Sequence, residues 1–334
     1  MKTEANRWEA EHRTGEMYVA MAKTTDARGG AARRRFTGVG DNILLTLFTL
    51  PTVVLLFIFS YLPMGGLILA FKDYTYDGGI FGSKWVGFKN FQYFFRSLDA
   101  WRITRNTLSY GVLFLVVGTI CALLVAMLLY EVKSRRAVKF YQTALTLPRF
   151  ISWVIVSYIT YIFLSPTQGL INSGIVALGG QRVSWFNKPV YWPFILTVVT
   201  VWKSVGLDSI MYYAALMGLD AEMFEAAQID GASRLQQAWH ISLPSLRPTI
   251  TILCILALGG IFRGDFGLFY QIPRDVGVLY PATDIIDTYL YRGLQSGFIG
   301  PTAAVGLFQS FVGMAAVLTA NAVVRRISPD NSLI

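Results

Sequence analysis

The strongest constraint on this chain is a set of apolar windows, each about 18 to 25 residues long and nearly free of charge, separated by polar intervals. A helix of that length crosses the ~30 Å hydrocarbon layer of a bilayer. Backbone groups in lipid must find partners within their own segment, so the windows are predicted to be membrane helices. Six spans are expected, at about 42–63, 107–130, 143–164, 191–217, 249–270 and 302–324. Apolar residues make up 54% of the 334 and charged residues 15%, against roughly 25% charged in a soluble domain. The predicted class is an all-α membrane protein.

Two spans carry interruptions. Pro148 and Arg149 stand near the start of the third, whose first turns could instead form an amphipathic helix, and Arg263 and Asp265 interrupt the fifth. Six spans put both termini on one side. Sixteen of the Lys and Arg residues fall in the arm, loops and tail of that side and ten in the opposite loops, so it is expected to be cytoplasmic, although the arm alone supplies eight. The net charge of +9 therefore reads as a positive-inside bias, with no nucleic-acid partner expected.

Residues 1–40 are polar and aperiodic, an arm expected to be mobile; 41–328 form the membrane domain and 329–334 a tail. No small-x-small cleavage site follows the first window, so no cleaved signal peptide is expected. Cys121 and Cys254 lie in apolar windows with no redox or metal spacing and read as small packing residues. The 64–106 loop, rich in aromatics from Tyr74 to Phe95, is expected to fold against the membrane surface.

The interval 218–248 carries the most specific signal. Glu225-Ala226-Ala227 is followed by Gly231 and, after nine intervening residues, by Ile241-x-Leu243-Pro244. Asp220 can cap a helix running to Asp230, Gly231 can end it in the left-handed conformation, and Ser233 with Gln236 forms a capping box for a second helix. Pro244 and Pro248 are expected to stop that second helix. Such a bent pair is stiff enough to transmit a push, with Ala226 and Ala227 as a low surface and Glu225 as a charge at its edge. An ordinary amphipathic hairpin on the membrane is the plainer alternative.

This block, "EAAQIDGASRLQQAWHISLP", resembles the cytoplasmic coupling loop, or EAA loop, of the permeases of binding-protein-dependent ABC importers. Seven matches at fixed spacing have a chance of about one in 10⁸ per start position. Further segments, among them "WVGFKNFQYFF" (85–95), "GDFGLFYQIP" (264–273) and "YPATDIIDTYLYR" (280–292), are similar to a carbohydrate-importing subgroup. The resemblance covers about residue 40 to the C-terminus. It implies a MetI-like permease core in a bacterial inner membrane and a coupling surface at Glu225, Ala226, Ala227, Asp230, Gly231, Ile241, Leu243 and Pro244. It also implies a cytoplasmic ATPase dimer as partner, a second related permease forming a heterodimer, an external solute-binding protein and a carbohydrate substrate.

Charges inside spans cost about 2.5 to 3.5 kcal/mol at a helix centre and usually face a cavity or a partner. Lys203, Asp208, Arg263 and Asp265 either neutralise one another near an interface or form a polar path for a sugar. Aromatic rings stack on sugar faces, and Trp153, Tyr158, Tyr212 and Tyr270 are candidates for that path, with plain packing as the alternative for each. The cations would suit a uronate-containing oligosaccharide or polysaccharide, while Asp208 and Asp265 could cancel the same field.

No GxxxxGK[ST] phosphate loop occurs, so ATP and Mg are expected on a partner and no cofactor or metal in this chain. His12 and His240 give no catalytic constellation, and the chain is not expected to be an enzyme. An ion-coupled carrier, with Asp208 and Asp265 holding the ion, and a non-transporting scaffold are the competing readings; both leave 225–244 unexplained.

Overall fold

A computed structural model describes residues 39–327, whose regular elements are helices apart from two short strands. The expected arm, but for its last two residues, and the 329–334 tail lie outside the described residues. The chain divides into two units, one ending at Gly65 and the other starting at Gly66.

In the first unit, α1 (Val39–Leu56) contains Pro51 and continues into a π-turn, Phe57–Tyr61. The second unit begins within a 3-10 stretch, Leu62–Phe71. Strands β1 (Lys72–Asp73) and β2 (Lys84–Trp85) pair antiparallel with Lys72 opposite Trp85. The buried Lys72 ammonium closes this hairpin, donating to Ile80 O at 2.9 Å and Phe81 O at 2.7 Å. Helix α2 (Lys89–Arg96) then buries Phe94 against Tyr289 and Phe308.

Helix α3 (Leu98–Tyr130) is 33 residues long and capped by Ser97, whose side chain accepts from Ala100 N. It starts nine residues before the expected span at 107. Its first turns are polar and look like loop in sequence, but Arg102 pairs with Asp284, and Asn106 donates to Asp284 O at 2.9 Å. Long-range partners carry this extension.

The third span is not continuous. Helix α4 (Arg135–Thr146) passes through a 3-10 turn, Leu147–Phe150, into α5 (Trp153–Leu164), with a bend of 98°. Pro148 opens the turn, and Ser152 caps α5 by accepting from Ile155 N. The span expected over 143–164 is thus two helices, in line with the alternative of a separate first helix, because the chain re-starts a helix at a serine cap instead of running through the proline.

After α6 (Leu170–Ala177), the polar loop is held by Asn172, which accepts from Val183 N and Trp185 Nε1. Helix α7 (Trp192–Met217) matches the fourth expected span and is the main packing partner of α3. Gly206 lets it approach the α4 backbone: a Cβ there would sit 2.0 Å from Leu145 O.

Helices α8 (Ala221–Ile229) and α9 (Arg234–Ser245) form the coupling interval, and α10 (Arg247–Leu258) follows α9 at a 57° bend. The fifth span also needs correction. The helix expected over 249–270 ends at Leu258, turns through Gly259 and Gly260, and resumes as α11 (Phe266–Gln271). Irregular backbone at membrane depth is tolerated where protein groups satisfy it. Here the Gly264 N–H donates to Asp287 at 2.8 Å, and Phe262 O accepts from Gln309 at 2.7 Å.

Helix α12 (Ile286–Gln295) precedes α13 (Ile299–Ile327), the last span. Among the described residues four helical stretches are long and apolar enough to cross a membrane, and six if each bent pair counts as one.

Candidate functional site

The coupling interval is built much as its residues dictate. Asp220 accepts from Glu222 N at 3.0 Å, Gly231 takes φ +79°, and Ser233 and Gln236 make the reciprocal capping box. Pro244 does not end the second helix. A π-turn over Ala238–Ser242 shifts the ladder just ahead of it, so the missing proline N–H falls where the regular pattern is already broken. The bend comes after Ser245 instead, with Pro248 in the first turn of α10.

This pair is fastened to the end of α3. Phe224 is buried, its ring 5.5 Å from that of Tyr130, and Arg234 pairs with Glu131. Glu225, Ala226, Asp230 and Gly231 are exposed, while Ala227, Ile241, Leu243 and Pro244 are half-buried. Sequence reasoning missed the most exposed apolar side chains of this pair, Ile229 at 87%, Leu235 at 69% and Trp239 at 62%. Water does not favour apolar side chains left uncovered on a polar loop.

The second site is an open cavity of about 430 Å³ between α3, α7, α10 and the break in the fifth span. Asp208 and Tyr212 come from α7, and Arg263 and Asp265 from the break. Four of the eight candidate path residues are therefore brought together. Thr119, Thr200 and Ser204 add hydroxyls to the wall, and the Thr200 hydroxyl is buried without a hydrogen-bond partner. These three escaped notice because one hydroxyl in an apolar helix carries no sequence signal.

Lys203, Trp153, Tyr158 and Tyr270 do not line this cavity. Lys203 is buried and its ammonium donates to Pro148 O at 3.2 Å, Arg149 O at 3.0 Å and Ile151 O, which binds it to the bend of the third span. The ammonium also lies 4.9 Å from the Trp153 ring centre. Trp153 Nε1 donates to Asp265 at 2.9 Å, and the other Asp265 oxygen caps α11 through Leu268 N at 3.3 Å. Lys203, Trp153 and Asp265 thus link both broken spans to the cavity wall. Tyr270 stacks on Phe266 at 5.0 Å and meets Tyr291 edge-on, while Tyr158 is exposed on α5.

Asp287, also unforeseen, steadies the break: burial pushes its carboxyl above the usual carboxylate range, against the hydrogen bonds from Gly264 N–H and Gln309. At the far end of α3, burial opposes the Arg292 charge, but the bond and charge of Asp284 prevail and hold its pKa above the ordinary value.

Residues 115–329 match the family of binding-protein-dependent transport system inner membrane components. The chain belongs to this family. It is a multi-pass inner-membrane permease, a transporter subunit, and the ion-coupled and scaffold alternatives fall with that match. The permease is 36% identical over 287 residues to Protein LplB of Bacillus subtilis (strain 168), covering 86% of this chain and 90% of that protein. It is 34% identical to the polygalacturonan/rhamnogalacturonan transport system permease protein YteP of the same organism, over 86% and 89% of the two chains. A solved bacterial ABC transporter involved in import of the acidic polysaccharide alginate superposes with TM-score 0.79 at 36% identity, over 89% of this chain and 100% of that one.

Proposed function

We propose that this permease subunit imports a carbohydrate, an oligosaccharide or polysaccharide received from a solute-binding protein, by ATP-driven alternating access. The observation that carries the reading is the α8–α9 pair, doubly capped, fastened to α3 and presenting Ile229, Leu235 and Trp239 outward. A rigid element with an apolar face suits a partner groove that must push it. In this reading Glu225, Ala226, Ala227, Asp230 and Gly231 form the contacting rim, while Ile241, Leu243 and Pro244 brace the pair from behind. The partner is a cytoplasmic ATPase dimer that binds ATP and Mg, so this chain carries no cofactor and its loop side is cytoplasmic.

The central cavity supplies the path, with hydroxyls at Thr119, Thr200 and Ser204 and charges at Asp208, Arg263 and Asp265 suited to a polyhydroxylated solute. A second, related permease completes the translocation unit. Relatives whose names specify polygalacturonan, rhamnogalacturonan or alginate support a sugar, and those names reach this chain by similarity. The test is co-purification from native cells of wild type, Ile229→Asp and Glu225→Lys. Wild type should retain an ATPase stimulated by a sugar-loaded binding protein, and Ile229→Asp should lose it. Equal retention by all three forms would overturn the coupling role.

A further inference from the structure

The end of α3 remote from the coupling loop holds a feature that the transport cycle described above does not use. The helix has 33 residues, about 50 Å at 1.5 Å per residue, and only its Tyr130 end meets the coupling pair. Near its start a cavity of about 470 Å³ is lined by Tyr93, Tyr280, Tyr289 and Phe298 around the guanidinium groups of Arg102 and Arg292. That volume lies within the roughly 300–1,000 Å³ typical of small-molecule sites.

The charges are arranged for hydroxyls. The Asp284 side chain is fully buried between Arg102 and Arg292, Asp99 accepts from Arg102 at 2.7 Å, and Asp275 from Arg292 at 3.2 Å. Each guanidinium on the wall already faces two carboxylates, Arg102 those of Asp99 and Asp284 and Arg292 those of Asp275 and Asp284, so neither keeps an unpaired charge for a uronate. Planar donors and acceptors held in place suit neighbouring sugar hydroxyls, and the aromatic rings suit the C–H face of a pyranose.

Backbone strain supports the same point. Arg274 and Asp275 adopt φ 59° and 50°, left-handed values that non-glycine residues rarely hold in succession. The strained Asp275 is fixed against Arg292 and accepts the Tyr280 hydroxyl at 3.0 Å. Helix α12 also connects this pocket to the central cavity: Tyr289 and Arg292 line the pocket, while Asp287, in its first turn, binds the break at Gly264.

We infer that this pocket is an entry subsite for one uncharged sugar residue of the transported carbohydrate. The inference rests on the carbohydrate-import reading above. A chain delivered to this end is held there by one ring before it advances along α12 to the central cavity.

The test uses the complete transporter in lipid nanodiscs, with neutral and uronate-containing oligosaccharide pools from hydrolysed plant and algal walls as probes. Saturation-transfer NMR is compared between wild type, Tyr93→Ala and Phe298→Ala. Both side chains are well exposed, at 59% and 58%, so truncation removes little packing, and the unfolding midpoint serves as control. Transfer to neutral sugars should fall about fivefold or more in both variants, while transfer to uronates stays unchanged. Absence of neutral-sugar transfer in wild type, neutral transfer that both variants retain, or a loss confined to uronates would overturn the subsite. Uptake into proteoliposomes separates the two levels: uptake of a sugar with a pocket-independent signal sinks the subsite alone, and no uptake of any sugar sinks the import reading.

Discussion

Replacing Lys203 with methionine tests whether one ammonium holds the bend of the third span. The side chain is buried and donates to three carbonyls at the bend, of Pro148, Arg149 and Ile151, of which Pro148 O also accepts the Ile151 backbone N–H at 3.2 Å. Hydrogen bonds to a charged group contribute about 1.5 kcal/mol each at the low end, so three amount to about 4.5 kcal/mol. The Trp153 ring, 4.9 Å away, adds about 0.5 kcal/mol. Against this, methionine removes an intramembrane charge that costs about 3 kcal/mol. The bonds win by about 2 kcal/mol, and that is the expected loss of stability. It would be read by tryptophan fluorescence during unfolding of the purified subunit in mixed SDS micelles. A cysteine at exposed Phe150 should also react faster with a maleimide in the Lys203→Met background, because the bend loosens. Stability within about 0.5 kcal/mol of wild type, with unchanged labelling, would refute the argument.

Two further perturbations probe packing and charge in the same unit. Gly206→Ala would place a methyl group 2.0 Å from Leu145 O, a backbone atom that cannot swing aside, so α4 and α7 must part. The cost should be about 1–3 kcal/mol in the same unfolding assay, while Gly218→Ala, with its nearest atom at an ordinary 3.5 Å, should be close to neutral; equal effects would contradict the packing reading. Asp284→Asn keeps shape but strips the charge buried between Arg102 and Arg292, and a loss of about 3 kcal/mol is expected; less than about 1 kcal/mol would mean that Asp99 and Asp275 suffice.

Local rules reached the coupling pair almost whole. Asp220, Gly231 and the Ser233–Gln236 box act within four residues of themselves, so residue type and spacing determine the outcome. The long apolar spans were legible for the same reason: a helix in lipid satisfies its own backbone, and α7 and α13 begin and end within a few residues of the expected bounds. The effect of Pro244 was not legible, because a π-turn upstream changes which donor its ring would replace.

What only the tertiary structure decided is where charges and breaks find partners. Lys203 and Asp265 looked alike in sequence as ions inside spans, yet Lys203 turns to the Pro148 bend while Asp265 reaches the cavity wall. Arg102 and Asp284 lie 182 residues apart, and Gly264 and Asp287 23 apart, with nothing in the residues between to announce either pair. The sequence determined which segments enter the membrane, because hydrophobic burial and helical hydrogen bonding are properties of each segment alone. The fold decided which of them break, and which charges a cavity may keep, because those free energies depend on atoms supplied by distant parts of the chain.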